Sequence, residues 1–178
     1  MYLISGFYLR RKKHMSTKYT KLNSRFGIIE YPVSLDEMKE IILELPKTER
    51  KFYEIALQPL KVFMKKDEQI LLFTIADAKL TKTGFMVITD KKIYLISLKG
   101  GFLGGADIEP IKYEDIKNVD FDITPNPFGK AQIELGVLYL EIKALFGGVK
   151  KRTIRNIPEE KIDKVVKLVR TQVNSHTK

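Results

Sequence analysis

The chain has 178 residues, no cysteine, two histidines and a formal net charge of +10. That length accommodates one domain of ordinary size with additions. The missing thiols exclude disulfides and thiolate metal centres, and a reducing compartment, the cytoplasm by default, is the expected setting. The charge is uneven: residues 1–33 carry seven Lys and Arg against Glu30, a surplus of +6 that leaves +4 for everything after them. A cation run in a tail more often solvates the chain than reads a base sequence, so nucleic-acid binding through it is expected to be weak and non-specific.

The opening "MYLISGFYL" is apolar and precedes "RRKKH". A signal peptide places its charges first, and a spanning helix needs about 20 apolar residues, so the segment is read as neither. Initiation at Met15 and a short interfacial anchor both explain it. Residues 1–33 are expected to be a basic, disordered tail.

Ser34 followed by Glu37 predicts a capping box, with the serine accepting from a helical N–H and the glutamate reaching back. Leu35, Met38, Ile41, Ile42 and Leu45 then recur at helical spacing until Pro46, after which Thr48 offers a cap for a second helix through Phe52, Ile55 and Ala56. Residues 34–66 are therefore expected to form a helical hairpin preceding a domain at 67–178. From Asp67 the period shortens. "QILLFTIA", "GFMVITD" and "KIYLISL" read as strands of an antiparallel meander whose two faces are both apolar, with the helical hairpin covering part of the second face.

"ADIEPI" predicts a fourth strand, and "KNVDFDIT" a fifth with Val119, Phe121 and Ile123 inward and Asp120 and Asp122 in water. From Lys130 to Ala144 the apolar residues change parity beside Gly136, which suggests a β-bulge in one long strand. "VKKRTIRNI" is the seventh strand. Ile162, Val165, Val166, Val169 and Val173 then form the apolar stripe of a C-terminal helix with Pro158 in its first turn.

This order, with "GFMVITDKKIYLIS", "KGGFLGG", "PIKYEDIKNVDF", "FGKAQIEL" and "IRNIPEEKIDKVVKLVR", resembles the bacterial PH-like domains, in particular the YokE-like group, over roughly Asp67 to Val173. The resemblance implies an α+β fold: a PH-like, seven-stranded antiparallel β-barrel or sandwich of two near-orthogonal sheets, capped by a C-terminal α-helix and preceded by an N-terminal helical hairpin.

Catalytic chemistry finds little support. His14 and His176 lie near the chain ends, leaving no base for a serine nucleophile and no histidine cluster for zinc, so neither an enzyme nor a metal or cofactor is expected. "GGFLGG" lacks the Lys-Ser or Lys-Thr ending of a phosphate-binding loop and joins two strands. In PH domains the loops after strands one, three and six surround one open end, where several members bind lipid headgroups. By position the resemblance assigns that end Lys79 and Lys82 from the first loop; Lys99, Phe102 and Leu103 from the second; and Leu145, Phe146, Lys150, Lys151 and Arg152 from the third. The expectation is a binding module, a platform for a protein partner or a peripheral contact with anionic membrane at its inner face. A homo-oligomer stays open, as does the alternative that Phe102 and Phe146 fold back into the core.

Overall fold

The computed structural model describes residues 25–79, 82–100, 104–125, 134–145 and 147–177. Three α-helices, α1 (Leu35–Leu43), α2 (Lys47–Phe63) and α3 (Glu159–His176), accompany seven strands: β1 (Ile70–Ile75), β2 (Gly84–Thr89), β3 (Lys92–Leu98), β4 (Ala106–Lys112), β5 (Ile116–Pro125), β6 (Glu134–Lys143) and β7 (Val149–Pro158). They form a four-stranded sheet in the order β1-β2-β3-β4 and a three-stranded sheet in the order β5-β6-β7, with every pairing antiparallel. The sheets stay separate as a sandwich. A single bridge between Asp77 and Arg155 joins the end of β1 to β7.

Because β2 and β3 are apolar on both faces, two cores form. Met86, Ile88, Ile93 and Leu95 face the second sheet and α3, where Leu138, Leu140, Ile154, Ile162, Val165, Val166 and Val169 complete one cluster. Phe85, Val87, Tyr94 and Ile96 face outward into a second cluster with Met38, Ile42, Tyr53, Leu57 and Leu60 of the helical hairpin. The doubly apolar strands are thus explained by helices on one side and a sheet on the other.

Ser34 and Glu37 form the expected capping box, with Glu37 N donating to Ser34 Oγ at 3.1 Å and Ser34 N to the glutamate at 2.8 Å. Thr48, by contrast, lies inside the first turn of α2, where Pro46 takes the cap position and accepts from Arg50 N at 2.8 Å. The bulge expected in β6 falls on β7 instead. Pairing with β5 keeps its register through Gly136 and shifts only near the other end of β6, between Ile116 and Asn118, whereas pairing with β7 shifts between Gly136 and Leu138 beside Asn156, a non-glycine residue at φ 57°.

Residues 25–33, expected in the tail, are held on the fold. Phe26 packs against Tyr53 with ring centroids 4.5 Å apart, Val33 exchanges backbone hydrogen bonds with Ile70, and the Tyr31 hydroxyl accepts from Phe73 N at 3.1 Å. Tyr31 and Val33 thus occupy part of the outer edge of β1, which would otherwise present unpaired groups. Residues 1–24 of the expected tail lie outside the described residues. Opposite the loop end, Glu68 is 1% exposed and accepts from Thr89 Oγ1 at 2.5 Å and from the Tyr94 hydroxyl at 3.1 Å, so the buried carboxylate is fully engaged.

Candidate functional site

The site is organised by β4. Alternation puts Asp107, Glu109 and Ile111 on its inner face, and Ile111 belongs to the core between the sheets. Moving from Ile111 toward the β3–β4 loop, the same face turns from apolar to acidic within one strand. On β7 the change is mirrored: Ile154 is buried in that core, and Arg152 and Lys150 follow on its face toward the β6–β7 turn. The open end of the sandwich is therefore lined by charge.

The first two loops meet at one carboxylate. Asp107 pairs with Lys99 Nζ at 2.5 Å through one oxygen and with Lys79 Nζ at 3.6 Å through the other. Lys82 is held beside Lys79 by a backbone hydrogen bond of 3.2 Å and adds to the positive field around Asp107. Hydrogen bonding to Lys99, and then the charges of Lys99, Lys79 and Lys82, hold the Asp107 carboxyl below its ordinary range, so it is ionised at neutral pH. The loop itself needs glycine: Lys99 N donates to Gly105 O at 2.9 Å, and a Cβ on Gly104 would stand 1.4 Å from Lys99 O.

The third loop joins through Arg152, whose guanidinium pairs with Glu109. Its Nε is buried without a hydrogen-bond partner. The turn at Ala144–Gly148 is closed by hydrogen bonds of 3.1 and 3.2 Å between Ala144 and the glycines at 147 and 148, and it throws Leu145 outward, 99% exposed. Val149 beside it is 53% exposed. Lys143, Lys150 and Lys151 lie on the strands that flank the tip, Lys143 and Lys151 on one face and Lys150 on the other, and Lys151 pairs across the strands with Glu141 at 3.6 Å. Lys150 has no ion pair among the described residues.

Of the residues expected at this end, the structure thus gathers Lys79, Lys82, Lys99 and Arg152 along β4 and places Leu145 in the adjoining turn, with Lys150 and Lys151 on the first residues of β7 beside it. Phe102, Leu103 and Phe146 lie outside the described residues. Sequence reasoning missed Asp107 and Glu109, the two acids that neutralise part of the cluster. Their alternation with Ile108 in "ADIEPI" was the available signal. Seven cations (Lys79, Lys82, Lys99, Lys143, Lys150, Lys151 and Arg152) face three carboxylates (Asp107, Glu109 and Glu141), leaving a modest positive surplus.

Among the described residues, no group of three or more His, Asp or Glu side chains is arranged to hold a metal, and no helix is long and apolar enough to cross a membrane. His176 ends α3 and packs against the Tyr113 ring at 5.0 Å, away from the charged loops.

A two-sheet sandwich with a terminal helix between its layers is the architecture of a PH-like domain, and the sequence agrees. Residues 64–171 match the model of the family described as "Bacterial PH domain". The chain belongs to that family. It is 54% identical over 158 residues to the SPbeta prophage-derived uncharacterized protein YokE of Bacillus subtilis (strain 168), an alignment that covers 89% of this chain and 99% of that protein. Among solved structures it is similar to the hSac2 domain from the human phosphoinositide phosphatase Sac2, with a TM-score of 0.51 at 9% identity, covering 75% of this chain and 87% of that one. A DUF1696 family protein with a pleckstrin-homology domain from Shewanella loihica PV-4 gives a TM-score of 0.46 at 17% identity, covering 80% of this chain and 95% of that one.

Proposed function

We propose that the chain is a non-catalytic PH-like binding module that docks peripherally on an anionic membrane surface, at its cytoplasmic face, through the open end of the sandwich. The observation that carries this reading is Leu145: a leucine 99% exposed in a turn closed by two backbone hydrogen bonds, with Lys143, Lys150 and Lys151 on the strands that flank it. A lone exposed leucine is common on a protein surface, so what gives this one weight is its place in a turn between lysine-bearing strands. Lysines beside it suit a surface whose headgroups are negative.

The magnitudes favour a reversible contact. Four uncompensated positive charges contribute about 4 kcal/mol near an anionic leaflet, and burying one leucine adds about 2 kcal/mol. About 6 kcal/mol corresponds to a dissociation constant on the order of tens of micromolar. Such a module visits the membrane and needs a second anchor to stay there.

The test is sedimentation with phosphatidylcholine vesicles with and without phosphatidylglycerol. Binding confined to the anionic vesicles and weakened by added salt is expected. Equal binding to neutral vesicles, or none to anionic ones at low ionic strength, defeats the reading.

A second reading, a platform for a protein partner, is favoured by Leu43, Val62 and Phe63, which are exposed on the helical hairpin. It predicts that Leu43→Ser and Val62→Ser weaken partner capture, whereas Leu145→Ser does not.

A further inference from the structure

The loop cluster is already occupied by a negative group of its own. Asp107 stands where Lys79 from the β1–β2 loop and Lys99 from the β3–β4 loop converge, with its two oxygens divided between the two ammoniums, and Lys82 lies within reach of the same field. Two residues further along the same strand face, about 7 Å away, Glu109 holds Arg152. The cations that could grip a phosphate are thus drawn onto β4 by carboxylates built into the strand. All of these groups are partly solvated, so the pairs are open to exchange.

We propose that Asp107 is the specificity residue of this surface: its carboxylate fills the place that a phosphomonoester would take among Lys79, Lys82 and Lys99. The surface therefore rejects clustered phosphomonoesters and accepts only dispersed, singly charged phosphodiester headgroups. The accepted class rests on the membrane reading above. A phosphomonoester carries more than one negative charge near neutral pH. Seated between Lys79 and Lys99, it would lie against an ionised Asp107, and that repulsion cancels much of what the lysines give. A membrane of phosphodiester headgroups makes no such demand, because its charge is spread over many lipids and meets the lysine-rich turn at 143–151 rather than one point on β4.

The experiment compares Asp107→Asn with Asp122→Asn, which raises the net charge equally on exposed β5, far along the chain from the loops. Each full-length variant and the parent chain are titrated calorimetrically with inositol hexakisphosphate and sedimented with phosphatidylglycerol vesicles. Asp107→Asn is expected to gain about tenfold or more for the hexakisphosphate while Asp122→Asn does not. Vesicle binding is expected to rise only a few-fold in Asp107→Asn, which frees one more cation near the leaflet, and to stay at the parent's level in Asp122→Asn, whose charge lies beyond the screening length. Adding Lys99→Gln to Asp107→Asn should abolish the gain.

Asp107→Ser removes the same charge in a smaller side chain, and it replaces the asparagine variant if that one melts lower than the parent. An equal gain in Asp107→Asn and Asp122→Asn overturns the proposal, because only net charge would matter. No gain in a variant with the parent's melting temperature overturns it as well. Failure of the parent chain to bind vesicles, alongside a hexakisphosphate gain in Asp107→Asn, sinks the membrane reading and leaves Asp107 as the residue that excludes clustered phosphates.

Discussion

Replacing Leu145 by serine separates binding from folding. The side chain is 99% exposed in the Ala144–Gly148 turn, so it contributes nothing to either core, and the turn is closed by backbone hydrogen bonds that serine leaves in place. Stability should change by less than about 0.5 kcal/mol. Insertion of the leucine into the headgroup region is worth about 1.5–3 kcal/mol, so the variant should lose about tenfold to a hundredfold in partitioning onto phosphatidylglycerol vesicles. Lys150→Gln should lose about fivefold, since one cation near the surface contributes about 1 kcal/mol. The two losses differ in character: that of Lys150→Gln shrinks as salt screens the surface, and that of Leu145→Ser persists. Vesicle sedimentation across a salt series, beside a urea melt of each variant, reads all of this. Unchanged partitioning of a stable Leu145→Ser would refute the assignment of the turn as the inserting tip. A large drop in its unfolding midpoint would refute the premise that the leucine lies outside the core.

Asp77 accepts from Gly84 N at 3.0 Å and from the Asn156 amide at 2.6 Å beside the bridge to Arg155, so Asp77→Ala should cost about 1–3 kcal/mol in a denaturant melt, with Asp77→Asn recovering part. Gly136→Ala would set a Cβ 2.8 Å from Ile162 and push α3 off the sheet, a loss of about 1–3 kcal/mol visible as a lower melting temperature. Burial pushes the Tyr31 hydroxyl up to about 12 from an ordinary value near 10. Its contribution is complete below about pH 10 and is lost as pH rises toward 12, because the unfolded chain releases its proton first. Tyr94 and Tyr113 are raised by burial too, so urea midpoints should fall steeply in that window, and Tyr31→Phe should flatten the fall after losing about 1 kcal/mol at neutral pH. A chain beginning at Ser34 should melt several degrees below one beginning at Arg25, because it lacks Tyr31 and Val33 on the β1 edge and Phe26 against Tyr53.

Much of the fold was legible because its signals are local. The Ser34–Glu37 box, the stripe from Ile162 to Val169 and the doubly apolar runs of β2 and β3 each depend on neighbours within a few residues, and each was found where expected. The misplaced details are those decided by a distant partner. Gly136 announced a bulge, yet the extra residue sits on β7 near Asn156, because Gly136 is reserved for the close approach of Ile162. Residues 25–33 show no period, and the exposed edge of β1 is what holds Tyr31 and Val33 in place.

The candidate site divides along the same line. Its residue types, and their places in three glycine-bearing loops, were read from the chain, because turns and greasy tips are written in short stretches such as Ala144–Gly148. That one carboxylate gathers Lys79 and Lys99, and that Glu109 meets Arg152 across 43 residues of sequence, belongs to the tertiary structure alone. Ion pairing leaves no periodicity in a sequence: an aspartate on a strand face looks the same whether water or two lysines face it, and only the folding of distant loops and strands onto one another decides which.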